Sequence, residues 1–331
     1  RLQERATARD RFRAIAPVGA GLGPRPVSAD SRFQKRSYSE VPRPMRDCTH
    51  RTTVAVSLRY TDRMPEGPEN NTNLLNPDEP TPYRVINPLA ETPTLLVCDH
   101  ASSRFPEALG DMGLDPFARR CHLALDIGAG ALTERLSESL GVTAVLAQYS
   151  RLVVDCNRQL LDPSAFLVFG DGIFIPGNNN LGDAEKTRRA DAIYWPYHKV
   201  VSDQVGRLRN IGPPPLFVSI HSFTPVLNGV SRSWQMGVLW DADEEVARIV
   251  IDELRGAGYK VGDNEPYSGK APQDFTVDHH AEGEGLRHVA IEIRQDLIDN
   301  DHGVDEVAEV LHRVFDLVPE RIGLRGQARS A

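Results

Sequence analysis

Ser219-Ile220-His221-Ser222-Phe223 closes an apolar run, Pro215-Leu216-Phe217-Val218-Ser219-Ile220, that follows the triple proline Pro213-Pro214-Pro215. Such a run, set off by a turn, reads as a strand buried on both faces. A histidine at its carboxyl end sits at the edge where open α/β sheets place their sites. Two further apolar runs stop in the same manner. Thr94-Leu-Leu-Val-Cys98 delivers Asp99-His100, and His288-Val-Ala-Ile291 delivers Glu292 ahead of Ile293-Arg294. Three strands carrying His, His and Glu to one sheet edge predict a metal-hydrolase type of site.

Outward from these strands, the chain alternates strands with helices. Leu132, Leu136 and Leu140 at fourfold spacing, stopped by Gly141, predict a helix, and residues 142–147 the strand after it. Residues 149–158 read as a further extended run, whose period of two would put Asp155 and Asn157 on one face. Residues 161–180 are rich in turn formers and read as a long irregular loop. A helix over residues 184–209 follows, with Asp183 as its cap, Pro196 as an interruption and His198 as a packing or supporting residue. Further on come a strand at 235–240, a helix at 243–257, a strand at 259–261 and a last helix at 305–321. The pair His279-His280, beside acidic residues and glycine, reads as exposed. The pattern predicts an α/β three-layer sandwich with a mixed, mostly parallel central sheet.

The ends differ in composition. Residues 1–82 are rich in Arg, Pro, Ser and Asn and read as a disordered extension; Glu4, Asp10, Asp30, Glu40 and Asp47 argue against a transit peptide. Residues 83–322 form the expected domain and 323–331 a tail. The net charge of -8 excludes a general nucleic-acid role and favours a small-molecule substrate. No apolar run reaches the roughly 18 residues of a membrane span. The four cysteines show no paired spacing, so a reducing, cytoplasmic setting is expected.

Taken together, Val97-Cys-Asp-His100-Ala-Ser, Tyr149-Ser-Arg151-Leu-Val-Val-Asp-Cys-Asn157-Arg158, Pro196-Tyr-His198, Ile220-His221-Ser-Phe-Thr-Pro225, Arg232-Ser-Trp234, Asn264-Glu-Pro-Tyr267-Ser-Gly and Ile291-Glu292-Ile-Arg-Gln-Asp-Leu297 resemble the N-formylglutamate amidohydrolase family. The likeness is remoter to zinc carboxypeptidases and aspartoacylases. The resemblance implies that His100 and His221 are metal ligands, that Glu292 is the general base toward the attacking water, and that Arg151 stabilises the oxyanion. It further implies that Asn157 and Arg158 hold the carboxylate of an acidic substrate. Arg232 and Tyr267 are candidates for additional substrate contacts. The wider group carries a Glu ligand three residues after the first histidine, where this chain has Ser103. Spacing assigns the third ligand to Asp126, ahead of Glu107. Zinc is the expected metal, with other divalent ions open. Alternative readings are a metal amidase for another acyl-amino acid or peptide fragment, and a binding protein of the same fold.

Overall fold

A computed structural model describes residues 73–271 and 274–324. Seven strands form its central sheet: β1 (Tyr83–Ile86), β2 (Thr94–Cys98), β3 (Thr143–Ala147), β4 (Leu216–Phe223), β5 (Met236–Leu239), β6 (Val261–Asp263) and β7 (His288–Arg294). Their order across the sheet is β1-β3-β2-β4-β7-β5-β6. The four central strands β3, β2, β4 and β7 run parallel, while β1 joins β3 and β5 joins β7 in antiparallel fashion. The mixed, mostly parallel sheet expected from the sequence is therefore present.

Helices cover both faces because the central strands are apolar on both. On one face, Leu95, Val97, Val145 and Phe217 pack with Tyr197, Val201, Val205 and Leu208 of helix α3 (Trp195–Ile211). On the other, Leu96, Val218, Ile220 and Ile291 meet three helices, α1 (Ala129–Leu140), α4 (Glu244–Gly256) and α5 (Asp301–Arg321). Helix α5 shows why: Val304, Val307, Leu311, Val314 and Val318 recur on one side, and burying each such side chain contributes about 1.5–3 kcal/mol. Asn300 caps it by accepting from the Gly303 amide at 3.1 Å.

Several local expectations are corrected. Residues 149–158 are a chain of turns, not an extended run: Val153 N bonds Ser150 O, Asp155 N bonds Ala165 O and Arg158 N bonds Asp155 O. Strand β3 already has a neighbour on each side, so no sheet edge is open to them there. The helix over 184–209 is three continuous pieces, α2 (Asp183–Arg189), a π-helical turn (Ala190–Tyr194) and α3, with Pro196 just after the π-helical turn, where the regular hydrogen-bond ladder is already interrupted. Gly182, not Asp183, occupies the N-cap. Packed structure begins ahead of Tyr83, since Leu74 is buried in the core and Tyr149 Oη donates to Pro80 O. The expectations for residues 1–72 and 325–331 lie outside the described residues. Cys98, Cys121 and Cys156 are free and buried, and no described helix is long and apolar enough to cross a membrane.

Candidate metal centre and its cavity

The site is assembled by the sheet register. In the parallel pair β4/β7, His221 lies opposite Glu292, so both side chains leave the same face of adjacent strands. His100 follows β2, the other neighbour of β4. Asp126 is brought in by backbone bonds, its N–H donating to His100 O at 3.0 Å and its carbonyl accepting from Ala129 N at 3.1 Å. The chain then turns into α1 at Gly128, where φ is +79° and a Cβ would stand 2.1 Å from Ile298 O. Only glycine fits that turn.

His100 Nδ1 lies 3.3 Å and His221 Nδ1 2.9 Å from the same oxygen, Asp126 Oδ2. These three buried groups offer donor atoms within 4.8 Å of one another. The opposite ring nitrogens are also engaged. His100 Nε2 is 2.7 Å from Asp155 Oδ1, and His221 Nε2 is 3.0 Å from Ser219 Oγ and 3.4 Å from Asp99 Oδ2. An outer acceptor on each imidazole fixes ring orientation and leaves the inner nitrogen to a ligand. Two nitrogens and one carboxylate, so oriented, suit zinc or a similar divalent ion. Glu107 is exposed on a separate 3-10 turn, where it accepts from Asn76, and it takes no part in the cluster.

The electrostatics match. Burial raises the cost of charging both histidines, yet the carboxylates around them prevail and hold their pKa values above the usual range, well above it for His221. Burial likewise opposes ionisation of Asp126 and Asp155. His100 and His221 hold Asp126 ionised, and Arg151 with His100 holds Asp155 ionised. Glu292 behaves differently. Burial pushes its carboxyl up to about 8, only partly offset by His221, and its Oε2 is buried with no hydrogen-bond partner.

All of these groups open on a cavity of about 600 Å³, which Arg151, Asn157, Arg158 and Tyr267 also line. Arg151 is held by Asp155 at 2.7 Å and lies 3.5 Å from Asp126, so it braces the carboxylate behind His100 as well as facing the cavity. The Asn157 amide bonds Asp274 through Nδ2 and accepts from Thr276 N at 2.9 Å, tying this loop to the segment after residue 274. Arg158 Nη1 donates to Asn157 O at 2.8 Å. Arg232 does not line the cavity. It donates to Tyr267 Oη at 2.8 Å and lies over the rings of Tyr267 and Phe223, both of which line the cavity.

Two acids, Asp99 and Asp155, escaped the sequence reading as site residues. The signal was present in the adjacency Asp99-His100 and in Asp155 two residues before Asn157, but neither spacing reveals an acceptor behind an imidazole. The expectation that His279 and His280 are both exposed holds for His279 alone. His280 is 3% exposed, turned inward by the π-helical turn Asp278–Glu282.

Comparison with known proteins identifies the family and structures of similar fold. Residues 92–299, more than half the chain, match the family N-formylglutamate amidohydrolase. The solved structure of a gene product from Agrobacterium tumefaciens is 37% identical with a TM-score of 0.73, covering 76% of this chain and 100% of that one. The N-formylglutamate amidohydrolase of Ralstonia eutropha shares the fold at 21% identity and a TM-score of 0.55, over 73% of this chain and 99% of its own. A curated relative, GDSL esterase/lipase 1 of Arabidopsis thaliana, is 30% identical over 89 residues, which span 27% of this chain and only 23% of that protein. On the family match, the chain belongs to the N-formylglutamate amidohydrolase family.

Proposed function

We propose that the protein uses a divalent metal, zinc in the first instance, to hydrolyse the amide of an N-formyl acidic amino acid, taking N-formyl-L-glutamate to formate and L-glutamate. The observation that carries this reading is the buried, unpartnered Glu292 Oε2, placed one strand from His221 in the cavity that holds the His100-Asp126-His221 cluster. A carboxyl with a free oxygen, whose pKa burial raises toward neutral pH, is suited to take a proton from water and give it back.

His100, Asp126 and His221 would hold the metal, which when bound would lower the pKa of a water and polarise the scissile carbonyl. Glu292 accepts the proton of the attacking water at Oε2 and returns it to the leaving amine nitrogen. Arg151 offers fixed positive charge to the oxygen that becomes negative in the tetrahedral intermediate. Arg158 and the remaining hydrogen of Asn157 Nδ2 bind the substrate carboxylate, while Tyr267, which accepts from Arg232, lines the same cavity. The substrate is a small anionic molecule; neither nucleic acid nor membrane is a partner.

The deciding experiment measures formate released from N-formyl-L-glutamate by the purified protein, after chelation and again after zinc is restored. Activity should vanish and return, and its absence in every metal state would overturn the proposal. Replacing Arg158 by Met should raise KM for the acidic substrate roughly 10- to 100-fold, the worth of one charge-assisted hydrogen bond, with a smaller change in kcat. An unchanged KM would remove Arg158 from the binding role.

A further inference from the structure

His198 lies on α3, on the far side of the residue 153–158 loop from the cavity, and is 4% exposed. One ring nitrogen, Nε2, is 2.9 Å from the carbonyl oxygen of Cys156, and the other, Nδ1, is 2.9 Å from His280 Nε2. His280 Nδ1 is in turn 3.3 Å from Ser202 Oγ. A carbonyl can only accept, and with both imidazoles neutral this fixes the direction of every bond in the chain. His198 Nε2–H donates to Cys156 O, His280 Nε2–H donates to His198 Nδ1, and Ser202 Oγ–H donates to His280 Nδ1. Such a chain needs both imidazoles neutral. Burial supplies this by lowering His198 to about 4 and His280 to about 3.

The carbonyl that His198 grips lies between two residues of the site. Asp155, one position earlier, is the acceptor on His100 Nε2, and Asn157 and Arg158 follow directly. The same helical region takes hold of this loop twice more, through Arg189 Nη1 to Val153 O at 3.2 Å and Tyr194 Oη to Arg158 O at 2.9 Å. Both of those residues contact the loop near its ends. His198 holds its centre, at a carbonyl that also accepts from Thr276 Oγ1 at 3.4 Å, and is oriented by a second imidazole, as Arg189 is by Glu185 and Asn178.

We propose that His198, oriented by His280 and Ser202, is a positioning residue that sets the placement of Asp155 behind the metal ligand His100 and of Asn157 and Arg158 toward substrate. This inference rests on the metal-centre reading above and extends it to a pair of histidines outside the cavity. It makes two separate demands on the loop: loosening Asp155 weakens metal binding, and loosening Arg158 weakens substrate binding.

The test compares His198→Leu, which removes both bonds, with His198→Gln, whose amide can donate to Cys156 O and accept from His280. Amide hydrogen exchange is followed by mass spectrometry over residues 153–158, together with zinc affinity by competition with a chromophoric chelator, and KM and kcat for N-formyl-L-glutamate. His198→Leu should speed exchange in that segment about tenfold and weaken zinc about tenfold or more. KM should rise more than kcat falls, and His198→Gln should restore most of each loss. Wild-type values in His198→Leu, or equal impairment in His198→Gln, would overturn the proposal. If His198→Leu does not fold, His280→Leu serves instead, since it strips His198 Nδ1 of its donor; unchanged exchange in that variant counts against the inference. Should the wild-type protein bind no zinc and release no formate, the functional reading falls, while the exchange data still decide whether His198 positions the loop.

Discussion

Glu292→Gln should lower kcat by about 10³-fold while zinc binding persists, because it removes a proton acceptor and leaves the ligand set intact. The substitution is nearly isosteric, and Oε2 has no partner in the protein to lose. Strand β7 keeps its ladder with β4 through the backbone, so the amide would occupy the position of the carboxylate. The burial that pushes the Glu292 carboxyl up to about 8 has no hold on an amide, which carries no charge at any working pH. The measurement is steady-state formate release alongside metal content. Turnover close to wild type would remove Glu292 from the role of base, and loss of metal would recast it as a ligand.

Asp126→Asn should weaken zinc binding by more than about 100-fold, beyond the loss expected for residues that only orient a ligand. Its carboxylate is the point at which both inner histidine nitrogens meet, and it also accepts from the Ser222 amide at 3.2 Å. Asparagine retains an oxygen for these donors but not the charge that the two histidines and Arg151 balance. Removing one member of a buried charged cluster typically costs 3–5 kcal/mol, so the metal-free variant should also melt at lower temperature. The decisive readout is the rise in melting temperature on adding zinc, which should be large in the wild-type protein and nearly absent in the variant. Glu107→Gln provides the contrast and should leave it unchanged; the opposite pattern would exchange the two residues as ligands.

Why some of this was legible in the sequence and some was not follows from how far apart the deciding residues lie. The strands carrying His100, His221 and Glu292 are continuous apolar runs with turns on either side, so local composition marks both the element and the residue it delivers. Asp126 lies just ahead of a helix with clear Leu spacing and could be found as an acid near a turn. The placement of Asp155 was not available in that way. It sits among Leu152, Val153 and Val154, which mimic a strand, and the competing local bonds to Ser150 and Ala165 decide the turn. His280 misled for a related reason. Acidic neighbours and glycine suggested solvent, but the π-helical turn rotates that side chain inward against His198. Asp99 adjoins His100 at the end of β2, yet its contact with His221 joins residues over a hundred positions apart.

The pairing of His221 with Glu292 across β4 and β7 separates the chemistry from the choice of substrate. The distance between the proposed ligand and the proposed base is set by a backbone ladder in the middle of the sheet, whereas Arg158 and Tyr267, which also line the cavity, come from connecting segments. On the proposed function, exchanges in the segment carrying Tyr267 can alter which acyl-amino acid is admitted without moving His221 relative to Glu292, whereas the segment carrying Arg158 also holds Asp155 behind His100. Selectivity and reactivity are then separable at Tyr267 and coupled at Arg158.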